Sequence, residues 1–320
     1  MFAVRPSLCF YLPAGVLRQP LVAMSTFYPI KKGRMMPKDA LENKVAFVTG
    51  GATGLGRAMT EMFLRCGASA FIMSRNSEKL SEAARELQST TGREVHFYAA
   101  DVRDPTAVAE AVSACQERFG LPHIVVNNAA GNFISPTERL SANAFKTIVD
   151  IVLLGTANVT LEIGKRLISA NQPASFLAIS ATYTKFGSGY VVPSAAAKSG
   201  VETLYKSLAS EWSKHGMRFN IISPGAIPTK GAFARLDPGG YFQEMAKDFM
   251  PVNWRQGDPE ELANLATYVV SDYASWLNGE VIRLDGAMLN HGSSEFNRLS
   301  KVDNEQWTVL EKMIRSVKGS

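Results

Sequence analysis

Three groups of residues in this sequence are suited to binding a nucleotide. In the first group, an apolar run is followed by a loop with glycines at positions 50, 54 and 56, and the loop leads into a helical pattern. Glycine permits a tight turn and a close approach of the backbone to a pyrophosphate, which the positive end of a helix attracts. The loop therefore predicts a dinucleotide-binding site; the alternative is an ordinary glycine turn.

The other two groups follow the next strand-like segments. NAD sites usually carry an acid about 20 residues after the glycine loop, where it holds the ribose hydroxyls. This chain has Ser74-Arg75-Asn76 at that place. A guanidinium pairs well with phosphate, so Arg75 predicts NADPH unless it is a solvated surface arginine. Asp101 follows the third strand-like segment, where it is suited to holding an adenine. Small residues at 127–131 follow the fourth strand-like segment, so a cofactor can lie against the end of that strand.

Strand and helix patterns alternate along most of the chain. The strand patterns cover residues 44–49, 69–74, 94–100, 124–127, 175–180, 218–223 and 280–284. The helical patterns cover residues 54–66, 77–91, 106–119, 142–171, 194–215 and 260–271. This alternation predicts an α/β fold, a single doubly wound domain with a mainly parallel seven-stranded sheet and helices on both faces. Ligands of such folds bind outside the carboxyl ends of the strands.

Composition and charge narrow the class of protein. Hydrophobic residues make up 46% and charged residues 20%, which is typical of a packed soluble protein. Six of the 34 basic residues and none of the 29 acidic residues lie in 1–38, so the remainder is close to neutral. That balance argues against general nucleic-acid binding. The three cysteines contain no Cys-x-x-Cys pair and the four histidines have no ligand spacing, so no metal site is expected.

The first residues of the chain differ from the rest. Residues 1–34 are basic, free of acids and interrupted by prolines. We interpret them as a mitochondrial transit peptide ahead of a catalytic domain at 35–320, which predicts a location in the mitochondrial matrix; the alternative is a disordered tail. The longest early stretch without charge contains Pro13 and is too short for a membrane span, so no such span is expected.

The nucleotide-binding signals together resemble one enzyme family, the short-chain dehydrogenases/reductases, over residues 43–287. The matching features are the loop at 49–56, Asp101, the 127–131 run, Ser180 and Pro224-Gly225. The resemblance implies a Rossmann domain. It assigns the cofactor contacts to Gly50, Gly51, Ala52, Thr53, Gly54, Leu55, Arg75, Asp101, Lys198, Pro224, Gly225, Ala226 and Ile227.

Two departures from the family pattern concern the chemical step. Most members carry Tyr-x-x-x-Lys, in which the lysine binds the nicotinamide ribose and the phenol exchanges a proton with a carbonyl oxygen. Here Ser194 precedes Lys198 by four residues. The asparagine that usually precedes the central-helix glycine by three residues is replaced by Val152. The chain keeps the cofactor lysine but lacks the usual phenol and its relay.

One branch of the family has this pattern, the 2,4-dienoyl-CoA reductases, and the stretches 128–141, 230–238 and 271–276 resemble that branch. The transit-like start and the Lys318-Gly319-Ser320 end resemble its mitochondrial members. The resemblance implies NADPH-dependent reduction of a 2,4-dienoyl-CoA to a trans-3-enoyl-CoA during β-oxidation of unsaturated fatty acids, by a homotetramer. It assigns catalysis to Tyr183, Asn132, Ser194 and Lys198, and acyl-CoA contacts to Arg103, Phe133, Ser141 and Arg235.

Each of these assignments has a plainer alternative. Tyr183 could be a packing aromatic, with Tyr190 as the rival phenol, and Asn132 could be a turn residue. Two other functions are possible for the whole protein. One is a 3-oxoacyl or carbonyl reductase of the same family, which the missing Tyr-x-x-x-Lys disfavours. The other is a catalytically inactive NADP-binding protein, which the retained Lys198 disfavours.

Overall fold

The computed structural model describes residues 29–229, 231, 236, 237 and 255–316. In this part of the chain seven strands form one sheet in the order β3-β2-β1-β4-β5-β6-β7, and every neighbouring pair is parallel. The predicted fold class is therefore confirmed. The strands are β1 (Val45–Thr49), β2 (Ser69–Ser74), β3 (Val95–Ala99), β4 (Ile124–Asn127), β5 (Ala174–Ile179), β6 (Met217–Pro224) and β7 (Val281–Leu284).

The central strands are apolar throughout because both faces of the sheet are covered. All five residues of β1 are buried. Alternate side chains of a strand point to opposite faces, so Ala46 and Val48 pack in one hydrophobic cluster while Val45 and Phe47 pack in the other. Phe47 pairs with Phe71 of β2 in register, and their rings stack with centroids 5.4 Å apart. These contacts fix the strand register that aligns the carboxyl ends.

Nine α-helices are present in the described residues. Helices α1, α2 and α7 contribute buried side chains to one cluster, and α3, α5 and α6 to the other. Their bounds are α1 (Gly54–Arg65), α2 (Ser77–Thr91), α3 (Pro105–Phe119), α4 (Ala142–Val149), α5 (Gly155–Ser169), α6 (Val192–Trp212), α7 (Pro259–Val270), α8 (Met288–Gly292) and α9 (Asn304–Ser316). The sequence patterns did not predict α8 and α9, which follow the last strand.

The predicted helix 142–171 is interrupted by a π-helical segment. Residues Asp150–Leu154 form this segment between α4 and α5, and Val152 is buried within it. The stretch Ala142–Ser169 is long and apolar enough to cross a membrane by length and composition alone. Val159 and Ile163 of α5 are fully buried against the sheet, so this part packs as a core helix of the domain.

The segment before the first strand contacts α7. Lys32 forms an ion pair with Asp258 at 2.6 Å, and the Gly33 N–H donates to Glu260 Oε1 at 2.6 Å. Met36 is buried. Residues 1–28 lie outside the described residues, so the proposed transit peptide and the boundary at residue 34 stay predictions. Removal of residues 1–34 would delete the Lys32 and Gly33 contacts.

Candidate active site

The glycine loop joins β1 to α1 in a backbone conformation that requires glycine. Gly50 and Gly54 have φ angles of +67° and +55°, the left-handed region that other L-residues rarely adopt. A Cβ on Gly56 would lie 2.3 Å from the Gly50 carbonyl oxygen, so α1 approaches the loop closely. Thr53 precedes the helix without a side-chain capping bond. The first N–H groups of α1 therefore remain suited to a phosphate.

Asn128, at the end of β4, fastens the 127–131 run to this loop. Its Nδ2 donates to the Thr49 carbonyl at 3.0 Å, and Thr49 Oγ1 accepts from the backbone N–H groups of Asn128 and Ala129, both at 3.0 Å. These hydrogen bonds hold the carboxyl ends of β1 and β4 together. Sequence reasoning treated this run only as a place for small residues. A polar residue directly after a buried strand was the available signal.

A cavity of about 710 Å³ lies over these strand ends. It brings together residues predicted from separate parts of the sequence, both for the cofactor and for the substrate. They are Gly50, Thr53, Gly54, Leu55, Arg75, Asp101, Arg103, Asn132 and Phe133. The glycine cradle, the arginine beyond β2 and the small residues after β4 fit an extended dinucleotide with a pyrophosphate at the start of α1.

Charged groups in this cavity are arranged around Asp101. The Arg103 guanidinium contacts both carboxylate oxygens, with Nη2 to Oδ2 at 2.6 Å and Nε to Oδ1 at 3.1 Å. The Arg103 contact, with a smaller contribution from Arg75, lowers the pKa of Asp101 despite partial burial. Arg75 itself is exposed at the cavity wall. The cavity therefore holds a carboxylate that stays ionised and two cations suited to phosphate groups.

Three of the four predicted catalytic side chains, those of Asn132, Tyr183 and Ser194, are joined by hydrogen bonds. Tyr183 lies in a 3-10 turn, Thr182–Thr184, that follows β5. Its hydroxyl is 2.8 Å from Ser194 Oγ of α6, and Asn132 Nδ2 donates to it at 3.3 Å. Asn132 is oriented by its Oδ1, which accepts from the Phe133 N–H at 2.9 Å. Burial raises the pKa of the Tyr183 phenol, although the Ser194 contact opposes this shift, so the phenol keeps its proton at neutral pH.

The rival phenol has a different environment. Tyr190 is 67% exposed and has a φ of +65°. Its carbonyl accepts from the Ser135 N–H at 2.9 Å, which links the loop after β4 to the segment before α6. Its ring is not part of the Tyr183–Ser194–Asn132 group. The geometry therefore favours Tyr183 over Tyr190 as the acting phenol.

Lys198 lies one helical turn after Ser194 on α6 and is buried, with 7% of its surface exposed. Its ammonium group donates to the Ile179 carbonyl at the end of β5. Burial lowers the pKa of Lys198 to about 8, and the negative charge of Glu202 opposes that shift. The lysine is thus held at the end of β5, one helical turn from the Ser194 that contacts Tyr183.

Glu202 is a site residue that sequence reasoning missed. Its Oε1 accepts from Ser180 Oγ at 2.6 Å and from Thr184 Oγ1 at 2.7 Å. The residue follows Lys198 by four positions, which places it on the same side of α6. That spacing was the signal in the sequence.

Several predicted contact residues lie outside the cavity lining. Ser141 is exposed, and its Oγ accepts from the Ala144 N–H at 3.1 Å to cap α4. At the end of β6, the Gly225 N–H donates to the Leu284 carbonyl at 2.9 Å, and Ile227 is buried. Arg235 lies outside the described residues. The remaining predicted loop residues, Gly51, Ala52, Pro224 and Ala226, line no part of the cavity described above.

Comparisons with known proteins find relatives of the chain among enzymes. A family model described as "Enoyl-(Acyl carrier protein) reductase" matches residues 50–288. The chain is 47% identical over 298 residues to a Caenorhabditis elegans protein named "Probable 2,4-dienoyl-CoA reductase 3", described as (3E)-enoyl-CoA-producing, and the match covers 92% of this chain and 96% of that one. It is 37% identical to a Danio rerio protein named "Peroxisomal 2,4-dienoyl-CoA reductase", over 82% and 86% of the two chains. A solved short chain dehydrogenase from Bacillus anthracis is 36% identical, with a TM-score of 0.71, over 78% and 97%.

Proposed function

The chain is an oxidoreductase of the short-chain dehydrogenase/reductase family, whose members use a nicotinamide cofactor, and we propose that it reduces 2,4-dienoyl-CoA thioesters with NADPH. The observation that carries the proposal is the meeting of the Tyr183 hydroxyl, Asn132 Nδ2 and Ser194 Oγ. The position four residues before Lys198, where most members carry their phenol, is occupied by Ser194. The phenol of this site, Tyr183, lies instead in the turn after β5, next to the Asn132 amide.

This pair of donors suits a thioester oxygen on which negative charge develops. A 2,4-dienoyl thioester accepts a hydride at C5, and the electrons then delocalise as a dienolate onto the thioester oxygen. The Tyr183 hydroxyl and the Asn132 amide act as an oxyanion hole for that oxygen. A proton from the Tyr183 hydroxyl or from a water molecule then adds at Cα, which completes the reduction and leaves a trans-3-enoyl-CoA. The name of the Caenorhabditis elegans relative gives the same class of product, a (3E)-enoyl-CoA.

The hydrogen-bonding capacity of Tyr183 supports this role. A phenol oxygen accepts two hydrogen bonds and donates one. When Asn132 and Ser194 both donate to Tyr183, the phenolic hydrogen remains available to the substrate oxygen. The second N–H of the Asn132 amide is available to the same oxygen. Ser194 thereby strengthens Tyr183 as a donor, although an aliphatic hydroxyl is itself too weak an acid for the step.

The bound nicotinamide cofactor supplies the hydride. The glycine loop and the start of α1 bind its pyrophosphate, and Lys198 binds the nicotinamide ribose. Arg75 at the cavity wall favours a ribose 2′-phosphate, hence NADPH. Arg103 and Phe133 line the same cavity, which supports their role as acyl-CoA contacts. The assignment of Ser141 and Arg235 to the acyl-CoA rests on the sequence alone.

We further propose that this reduction serves the β-oxidation of unsaturated fatty acids in the mitochondrial matrix and that the enzyme is a homotetramer. The basic, acid-free segment 1–34 supports the mitochondrial location. The relatives also include peroxisomal reductases.

One assay tests the proposed activity against its rivals. The purified protein is mixed with NADPH and either a 2,4-dienoyl-CoA or a 3-oxoacyl-CoA of equal chain length, and oxidation of NADPH is followed by absorbance. We expect turnover with the dienoyl-CoA and little with the 3-oxoacyl-CoA. Preference for the 3-oxoacyl-CoA would identify a ketoreductase, and NADPH binding without turnover of either would identify an inactive binding protein.

A further inference from the structure

Helix α6 carries a stripe of three polar side chains at intervals of one turn. Ser194, Lys198 and Glu202 follow each other at i, i+4 and i+8, so they lie on one side of the helix. Ser194 contacts the Tyr183 hydroxyl, and Lys198 reaches the end of β5. Glu202, the third member, has no part in the function proposed above.

The Glu202 carboxylate holds both ends of the segment that carries Tyr183. Ser180, directly after β5, donates to Oε1 at 2.6 Å, and Thr184, at the end of the turn, donates to the same oxygen at 2.7 Å. The Thr184 hydroxyl is also 2.9 Å from the Ala181 carbonyl. Hydrogen bonds to a carboxylate are stronger than those between neutral groups. The turn is therefore tied to α6 on either side of Tyr183.

Glu202 also supplies the negative charge that acts on Lys198. Burial of an ammonium group disfavours its charged form, and Glu202 opposes that effect by lying near enough to stabilise the cation. Other charged groups face Glu202 from its surroundings. Lys185 after the turn, Lys206 on α6, and Glu280 and Arg283 next to and within β7 line the same cavity of about 590 Å³.

From this arrangement we propose that Glu202 is a positioning residue of the reduction, which holds the Tyr183 turn against α6 and acts on the Lys198 ammonium group one helical turn away. The inference rests on the proposed function, because its consequences concern the groups that act on the thioester and the cofactor ribose. A glutamine at 202 keeps the shape and an acceptor oxygen but removes the charge. An aspartate keeps the charge but shortens the reach to Ser180 and Thr184.

The first test compares Glu202→Gln with Glu211→Gln, a matched change at an exposed position of the same helix. We expect Glu202→Gln to lower kcat between about tenfold and about a hundredfold with little change in KM for NADPH, since misplacement of a catalytic group by about 1 Å has effects of that size. The alkaline limb of the pH profile should move down by about one pH unit, because Lys198 loses its proton more easily without the neighbouring charge. Glu211→Gln should change neither value.

Two further variants keep the inference falsifiable if Glu202→Gln folds poorly. Glu202→Asp should leave the alkaline limb of the pH profile at its wild-type position, while its kcat should stay below that of the wild type. Thr184→Val should lower kcat by about fivefold, the effect of one hydrogen bond, with the limb unmoved. An unchanged kcat in Glu202→Gln would overturn the inference. It would also be overturned if kcat and Tm both fell while the alkaline limb of the pH profile stayed in its wild-type position.

A readout without turnover separates this inference from the proposed function. The pH dependence of NADPH binding, followed by cofactor fluorescence, reports the charge of Lys198 in the absence of dienoyl-CoA. Glu202→Gln should shift that dependence to lower pH even if the substrate class is different. An unshifted binding profile overturns the role of Glu202, whereas absence of dienoyl-CoA turnover in the wild type overturns only the proposed reaction.

Discussion

The Tyr183 hydroxyl can be removed with little other change to the protein. In Tyr183→Phe the ring remains, while Ser194 Oγ and Asn132 Nδ2 lose the oxygen they contact at 2.8 and 3.3 Å. The loss of one oxyanion donor lowers kcat by about 10²- to 10³-fold, or about 2.7–4 kcal/mol. The loss of two neutral hydrogen bonds lowers the free energy of unfolding by about 0.5–1.5 kcal/mol each. The variant should therefore remain folded while most activity is lost.

The assay measures kcat on one 2,4-dienoyl-CoA at saturating NADPH, with NADPH affinity and Tm measured in parallel. Tyr190→Phe is the matched control, because it removes a phenol hydroxyl from the neighbouring segment and should keep most activity. Asn132→Ala should resemble Tyr183→Phe, and the double variant should lose less than the product of the two effects if both donors hold one oxygen. A nearly normal Tyr183→Phe together with an inactive Tyr190→Phe would refute the assignment of the phenol.

Three other outcomes test separate parts of the site. Arg75→Asp should raise the KM for NADPH by about tenfold to over a hundredfold, the effect of one charge-assisted pair, and should change the KM for NADH little. An unchanged preference for NADPH over NADH would mean that Arg75 is only a surface residue. In the wild type, kcat/KM should fall as the pH rises above about 8, where Lys198 loses its proton because burial lowers its pKa; a plateau to pH 10 would contradict a role for the lysine charge. A fusion of residues 1–40 to a soluble reporter should enter mitochondria, and a cytosolic reporter would refute the transit peptide.

The sequence alone determined the fold class and predicted the position of the cofactor site. Continuous apolar strands alternating with amphipathic helices allow little besides a parallel sheet covered on both faces, and the structure contains it. The left-handed turn at Gly50 and Gly54 was predictable for the same reason, since the residue type itself limits the backbone. Arg75 could be named from its place after β2. These signals are local, so they can be recognised in a short stretch of chain.

The arrangement around the reacting atoms was decided by the tertiary structure. Tyr183 is 11 residues from Ser194 and 51 from Asn132, and no local periodicity links residues so far apart. The choice between Tyr183 and Tyr190 depends on how the turn after β5 folds onto α6. Only packing of that turn brings Ser180 and Thr184 to one carboxylate oxygen of Glu202. A hydrogen bond between distant segments depends on the relative position of whole strands and helices, and that position is set by the sheet and its two hydrophobic clusters.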